Sequence, residues 1–178
     1  MSNENQETEF DINTVETLLE TAKSEYDNEH SRTTVIDTKI GISLPIVAAY
    51  FIALAQINNY KEIFAFSILS FWDVFIPSLL FLSYTFSLVL SLISILMMVH
   101  VIIMRDYYTI KPRVLYDNDY LSNKKVFLSI ELLSLYIEAT ENNKVQNDSR
   151  VPIYRKSWIL SVVSIILFVI YIIIKNSI

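Results

Sequence analysis

The sequence predicts an all-α integral membrane bundle with three transmembrane helices and two further helices on the cytoplasmic side. Three observations predict it. Apolar residues make up 53% of the 178 residues while 19% are charged, so the two kinds fall into separate blocks, as a bilayer demands. A single glycine, Gly41, leaves few sites for the positive-φ turns of β architecture. Three long apolar blocks, beginning near Ile40, Val74 and Trp158, are each close to or beyond the length that crosses ~30 Å of hydrocarbon at ~1.5 Å per residue.

In chain order, residues 1–13 read as a disordered acidic tail. A cytoplasmic helix follows over 14–38, with Asn13 as a cap and Glu16 three residues on. Its apolar positions Ile12, Val15, Leu18, Leu19, Ala22 and Tyr26 share one face, opposite Glu16, Glu20, Lys23 and Asp27. The first span is 39–58, uncharged from Ile40 to Ile57 and carrying Pro45 one turn inside. A signal peptide does not fit, since ten acids and only three bases precede Ile40.

Residues 59–73 read as an outer interfacial segment and 74–104 as a second, long span of ~46 Å. A hairpin within 63–104 is the alternative, but its turn would fall near Ser83–Thr85, where a bilayer cannot hydrate loose backbone. Residues 105–156 form a cytoplasmic connector and a helix over about 123–143, its stripe given by Val126, Ile130, Leu133 and Ile137. The polar run ENNKVQNDSR then leads to the last span, 157–175.

Lysine and arginine set the orientation. With the N-terminus inside, twelve of the fourteen bases lie on the cytoplasmic side and only Lys61 and Lys175 outside. Trp72 and Trp158 fall at span ends, where amphipathic rings prefer the headgroup layer. The N-terminus and residues 105–156 are therefore expected in the cytoplasm.

Motifs for catalysis are lacking. One glycine rules out phosphate loops and dinucleotide fingerprints, and His30 and His100 belong to no metal-spacing pattern. Asp117 and Asp119 lack the remaining ligands of a calcium loop. No cysteine is present, so no thiolate chemistry or disulfide framework arises. Neither an enzyme nor a cofactor is expected, and a pI near 5 argues against a nucleic acid polymer as partner. Ser87, Ser91 and Ser94 share one helix face; small polar residues so placed favour helix–helix packing or self-association, and a water-lined pore is the sharper alternative.

The stretch from Ala22 to Phe51, with Asp37-Thr38-Lys39 directly before the membrane, then a long second span, the Pro112-Arg113 pair, a cytoplasmic helix and Tyr154-Arg155-Lys156 before the last span, resembles the transmembrane effector family of Pycsar anti-phage systems. It is more distantly similar to SLATT-type effectors. The resemblance covers most of residues 15–175. It implies a membrane effector of cyclic-nucleotide-signalled defence that oligomerises and disrupts the inner membrane, arresting the cell. The chain departs from the family in its few glycines and alanines around the first span, and no recognisable nucleotide-binding domain lies within the 178 residues.

An anionic, planar nucleotide needs basic groups for its phosphate and an aromatic face for its base. Lys39, Arg113, Arg155, Lys156 and Tyr154 are the candidate binding residues, with Asp37 as a supporting ion-pair partner. Positive-inside anchoring is the plainer role for the same bases. A non-enzymatic membrane scaffold or regulatory subunit, holding a cytoplasmic partner with its two amphipathic helices, is the alternative function.

Overall fold

The computed structural model describes residues 12–56, 71–110 and 125–177. Three α-helices account for nearly all of them, and no strand occurs among the described residues: α1 Ile12–Gln56, α2 Trp72–Ile103 and α3 Lys125–Ser177. Each is long and apolar enough over part of its length to cross a membrane. The tail 1–11, most of the interfacial segment 59–73 and the connector around Arg113 lie outside the described residues.

Two expected breaks are not there. The predicted helix 14–38 and span 39–58 are one helix of 45 residues. The predicted helix 123–143, the run ENNKVQNDSR and span 157–175 are one helix of 53 residues. The expected pair of separate cytoplasmic helices is thus replaced by polar extensions of the membrane helices. The physical reason lies in the run itself. It holds no glycine or proline, and Asn143, Asn147 and Arg150 face inward, fully buried, so residues that look like a linker by composition fill a packed stripe.

The hairpin reading fails as well, since α2 is unbroken from Trp72 to Ile103. Ser83 and Thr85 return their hydroxyls to the carbonyls of Leu80 and Phe81 on their own helix, which satisfies them without a turn.

A four-three spacing sets the buried faces. On α1 it runs through Thr33, Ile36, Ile40, Ser43, Val47, Tyr50 and Leu54, on α2 through Leu80, Tyr84, Ser87, Ser91, Ser94, Met98 and Val101, and on α3 through Asn143, Asn147, Arg150, Tyr154, Ser157, Ser161 and Ser164. All but the half-buried Tyr50 and Tyr154 are buried. An unbroken spacing of this kind is the signature of left-handed coiled-coil packing. It corrects the stripe read on α3: Ile137 is 46% exposed, while Ser129, Ala139 and Asn143 are buried. On α1, Val15 and Ala22 are buried as read, but Leu18 is exposed.

The chain divides into two compact units, Met1–Val35 with Asp106–Asp148, and Ile36–Arg105 with Ser149–Ile178. The second is the apolar one. Tyr84 Oη donates to the carbonyl of Leu54 at 2.7 Å, Ser43 meets Met98, and Ser94 meets Ser157 and Ser161. These contacts make α1 and α2 antiparallel and, with Ser87 Oγ 3.1 Å from Ser164 Oγ, α2 and α3 as well. Its outside is apolar, with Ile42, Ile46, Ile52, Phe86, Leu96, Ile166 and Ile173 exposed, and its inside holds serines. Water would reward the reverse arrangement; lipid contact suits this one.

In the first unit, polar groups do the joining. Thr33 Oγ1 donates to Asn147 Oδ1 at 3.0 Å, and Arg32 Nη2 to Asp148 Oδ1 at 2.7 Å. Asn143 pairs with the backbone of Tyr108, accepting from its N–H at 2.9 Å and donating to its carbonyl at 3.2 Å. That amide holds the non-helical segment after α2 against α3.

Candidate functional site

The strongest polar cluster in the membrane unit is built on Asp37. Arg150 Nη2 donates to Asp37 Oδ1, and Arg105 Nε lies 3.4 Å from Asp37 Oδ2. The two bases differ sharply in exposure, Arg150 at 2% and Arg105 at 60%, with Asp37 at 26%. Local structure explains the buried one. The last carbonyls of α2 have no helical donor, and Arg150 Nε satisfies that of Val101 at 3.1 Å, where the negative end of the helix dipole also favours a cation. Asp37 at the start of α1's membrane part, Val101 and Arg105 at the end of α2, and Arg150 ahead of the last span thus meet at one end of the bundle.

Toward the middle, serines join α2 to α3. Ser94 Oγ donates to the Ser157 carbonyl at 2.7 Å and sits 2.6 Å from Ser161 Oγ. Ser87 and Ser164 exchange side-chain to backbone bonds at 2.9 and 2.7 Å, and Tyr50 Oη from α1 donates to the Ser164 carbonyl at 3.0 Å. Ser91 bonds the carbonyl of Leu88 on its own helix. Every hydroxyl of the stripe is spoken for, and Ser87, Ser91, Ser94 and Ser164 are fully buried. The stripe is a packing seam between helices of one chain. One apolar recess of about 390 Å³, lined by Phe81, Tyr84, Thr85, Leu88 and Val89, offers no basic group.

Among the sequence-derived candidates, Asp37 does act in ion pairs, with Arg150 and Arg105 instead of the bases expected. The side chains of Lys39, Arg155 and Lys156 are exposed and make no hydrogen bond or ion pair among the described residues. Tyr154 is half-buried against the core of Ile36, Ile40, Val47, Met98 and Val101. Arg113 lies outside the described residues. No described group of three or more carboxylate or imidazole side chains is placed to hold a metal ion.

No family model matches the chain, and no curated protein or solved structure matches it significantly. The residues themselves therefore carry the functional argument.

Arg150, Arg105, Asn143, Asn147 and Tyr50 went unread in the sequence. A signal was there. Extending the serine spacing of the last span backward by alternating threes and fours reaches Tyr154, Arg150, Asn147 and Asn143, so a base on the serine stripe marks a buried base.

The first unit holds an aromatic cluster: Tyr26, His30, Tyr107 and Tyr136, with ring centroids 5.1 Å apart for His30 and Tyr107 and 5.6 Å for Tyr26 and Tyr136. Tyr107 Oη is shielded from solvent and makes no direct hydrogen bond among the described residues. Burial, then the neighbouring Tyr26, and the charges of Asp27 and Glu29 push its pKa well above the usual phenol value. The folded state thus holds the Tyr107 proton more tightly than the unfolded chain does. The resulting contribution to stability is complete below the ordinary phenol pKa of ~10 and is lost as pH rises above it. Tyr107→Phe removes both a buried unpaired hydroxyl and this liability. At neutral pH its stability should equal or slightly exceed the parent's, and its alkaline unfolding midpoint, followed by circular dichroism, should move to higher pH. A variant less stable at pH 7 would show that the hydroxyl has a partner.

Proposed function

We propose that the chain is a membrane effector of cyclic-nucleotide-signalled anti-phage defence, which oligomerises and breaches the bacterial inner membrane on activation. What supports this reading most is Asp37. The acid of the Asp-Thr-Lys segment on which the family resemblance rests is also the hub of the ion pairs that gather the ends of three membrane helices. A residue so engaged is suited to a trigger, because releasing it would strand Arg150 and loosen all three helices together. The base count favours the cytoplasm for this end, where a soluble nucleotide is met, and the exposed Lys39, Arg155 and Lys156 supply positive charge for its phosphate. The reading involves no catalysis by the chain itself.

The test is a membrane-potential dye in cells that make the chain together with a nucleotide cyclase. Depolarisation should follow cyclase induction and be absent with an inactive cyclase. Steady polarisation despite confirmed expression, or toxicity indifferent to the nucleotide, would overturn the proposal. The exposed acids of α1, among them Glu20, Glu25 and Asp27, favour a second reading as a scaffold for a cytoplasmic partner. Stoichiometric co-purification of such a partner without any depolarisation would select it.

A further inference from the structure

We infer that the Asp37 end of the bundle is a collar that binds the anionic headgroups of phospholipids in one leaflet. The contacts of Asp37 with Arg105 and Arg150 bring those residues to one level. Lys39 lies two residues along α1 from it, about 3 Å, and Arg155 and Lys156 lie five and six residues beyond Arg150, about 8–9 Å. One headgroup layer with the reach of a long basic side chain covers that band. Within it the membrane unit has five bases and one acid among its described residues, and the acid is already shared by two arginines. At the far end of α3 stands Lys175 alone.

The concentration of charge is local, because the chain as a whole carries −5. The described residues of the other unit hold ten acids and four bases. Lys39, Arg155 and Lys156 all fall off the buried four-three stripe and are exposed. They stand on two different helices, Lys39 on α1 and Arg155 and Lys156 on α3, so more than one phosphate can be met along the band. Exposed apolar residues begin immediately beside them: Ile42 on α1, Ile102 and Ile103 on α2, Trp158 and Ile159 on α3. Phosphate at the bases and acyl chain against the adjoining apolar surface describe one amphiphile, and anionic surfaces reward each juxtamembrane base.

This inference stands independently of the nucleotide reading. The full chain, purified in detergent, is exchanged into nanodiscs of mixed phosphatidylglycerol and phosphatidylcholine, and the lipid retained on release is counted by native mass spectrometry. Phosphatidylglycerol should be enriched over phosphatidylcholine. Lys39→Gln, Arg155→Gln and Lys156→Gln should each lower that enrichment about fivefold, and Lys175→Gln should leave it unchanged. Equal retention of the two lipids by the parent chain overturns the collar and needs no variant. Enrichment that survives the triple substitution overturns it as well. In separate arms, inorganic phosphate and a cyclic nucleotide are added to protein in phosphatidylcholine alone. Binding of either that depends on the same three bases, without phosphatidylglycerol enrichment, would assign them to a free anion instead. Loss of nucleotide-triggered depolarisation with the enrichment intact would count only against the defence reading.

Discussion

Asp37→Ala is expected to destabilise the membrane bundle by about 3–5 kcal/mol, the usual cost of leaving a buried charge without its partner. The reason is the asymmetry around Asp37. Arg150 is 2% exposed, and a guanidinium does not shed its proton in a protein, so it keeps its charge in an apolar interior with only the Val101 carbonyl to face. The reciprocal change should be milder. In Arg150→Met the carboxylate still has Arg105 at 3.4 Å and is itself 26% exposed, so water and an exposed base soften the loss. Arg105→Gln removes only a solvent-facing pair and should cost no more than about 1 kcal/mol. The double variant Asp37→Leu with Arg150→Met should recover most of the stability lost by Asp37→Ala, because a matched apolar pair often equals or exceeds the ion pair it replaces. Denaturant-driven unfolding in micelles, read by circular dichroism, ranks the four variants. If Asp37→Ala is no worse than Arg105→Gln, Arg150 is not confined as described. The double variant also tests the trigger. A chain held closed by an apolar pair should stay folded and fail to respond to the nucleotide.

How far the sequence discloses this molecule depends on which physical rule dominates each stretch. The spans are legible because transfer from water to lipid is large and additive over some twenty residues. Pro77 falls near the start of α2 and does not break it, so α2 follows the reading closely. The extensions are a different matter. Glu141–Arg150 is polar at nearly every position, and polarity without apolar periodicity reads as linker. Yet Asn143, Asn147 and Arg150 are inward-facing side chains whose bonds are met by Tyr108, Glu29, Asp37 and Val101. Burial of satisfied polar groups leaves no hydropathy signal; only the four-three spacing betrays it. Asp37 was legible as an ion-pair residue from its place before the span, and its partners were not, because the level of Arg150 on α3 is fixed by a helix that the sequence seemed to interrupt. Arg155 and Lys156 drew notice as bases next to a span, but their exposure follows from falling off that same stripe.

Cysteine pairs placed across the serine seam should form disulfides within one chain. The protein has no native cysteine, so the background is clean. Ser94 Oγ and Ser161 Oγ are 2.6 Å apart, and Ser87 Oγ and Ser164 Oγ 3.1 Å, so the β-carbons lie within roughly 6 Å of each other and a small shift reaches disulfide geometry. Mild oxidation of Ser94→Cys with Ser161→Cys, or of Ser87→Cys with Ser164→Cys, should therefore give a monomer that has lost two hydrogens by mass. Ser78 points outward and bonds its own helix at the Val74 carbonyl, so Ser78→Cys with Ser161→Cys should stay reduced. Size tells the same story by energy. Ser94→Ala forfeits an interhelical bond worth on average about 0.6 kcal/mol in membrane proteins. Ser94→Leu wedges a branched side chain into a fully buried contact and should cost about 1–3 kcal/mol or more. A single Ser94→Cys, probed in membranes with a charged thiol reagent, decides between a dry seam and a wet lumen. Slow labelling in the resting chain fits hydroxyls that already bond one another. Rapid labelling, or disulfides that join two chains in preference to one, would show that these serines line water or an oligomer contact, and the packing described for α2 and α3 would have to be abandoned.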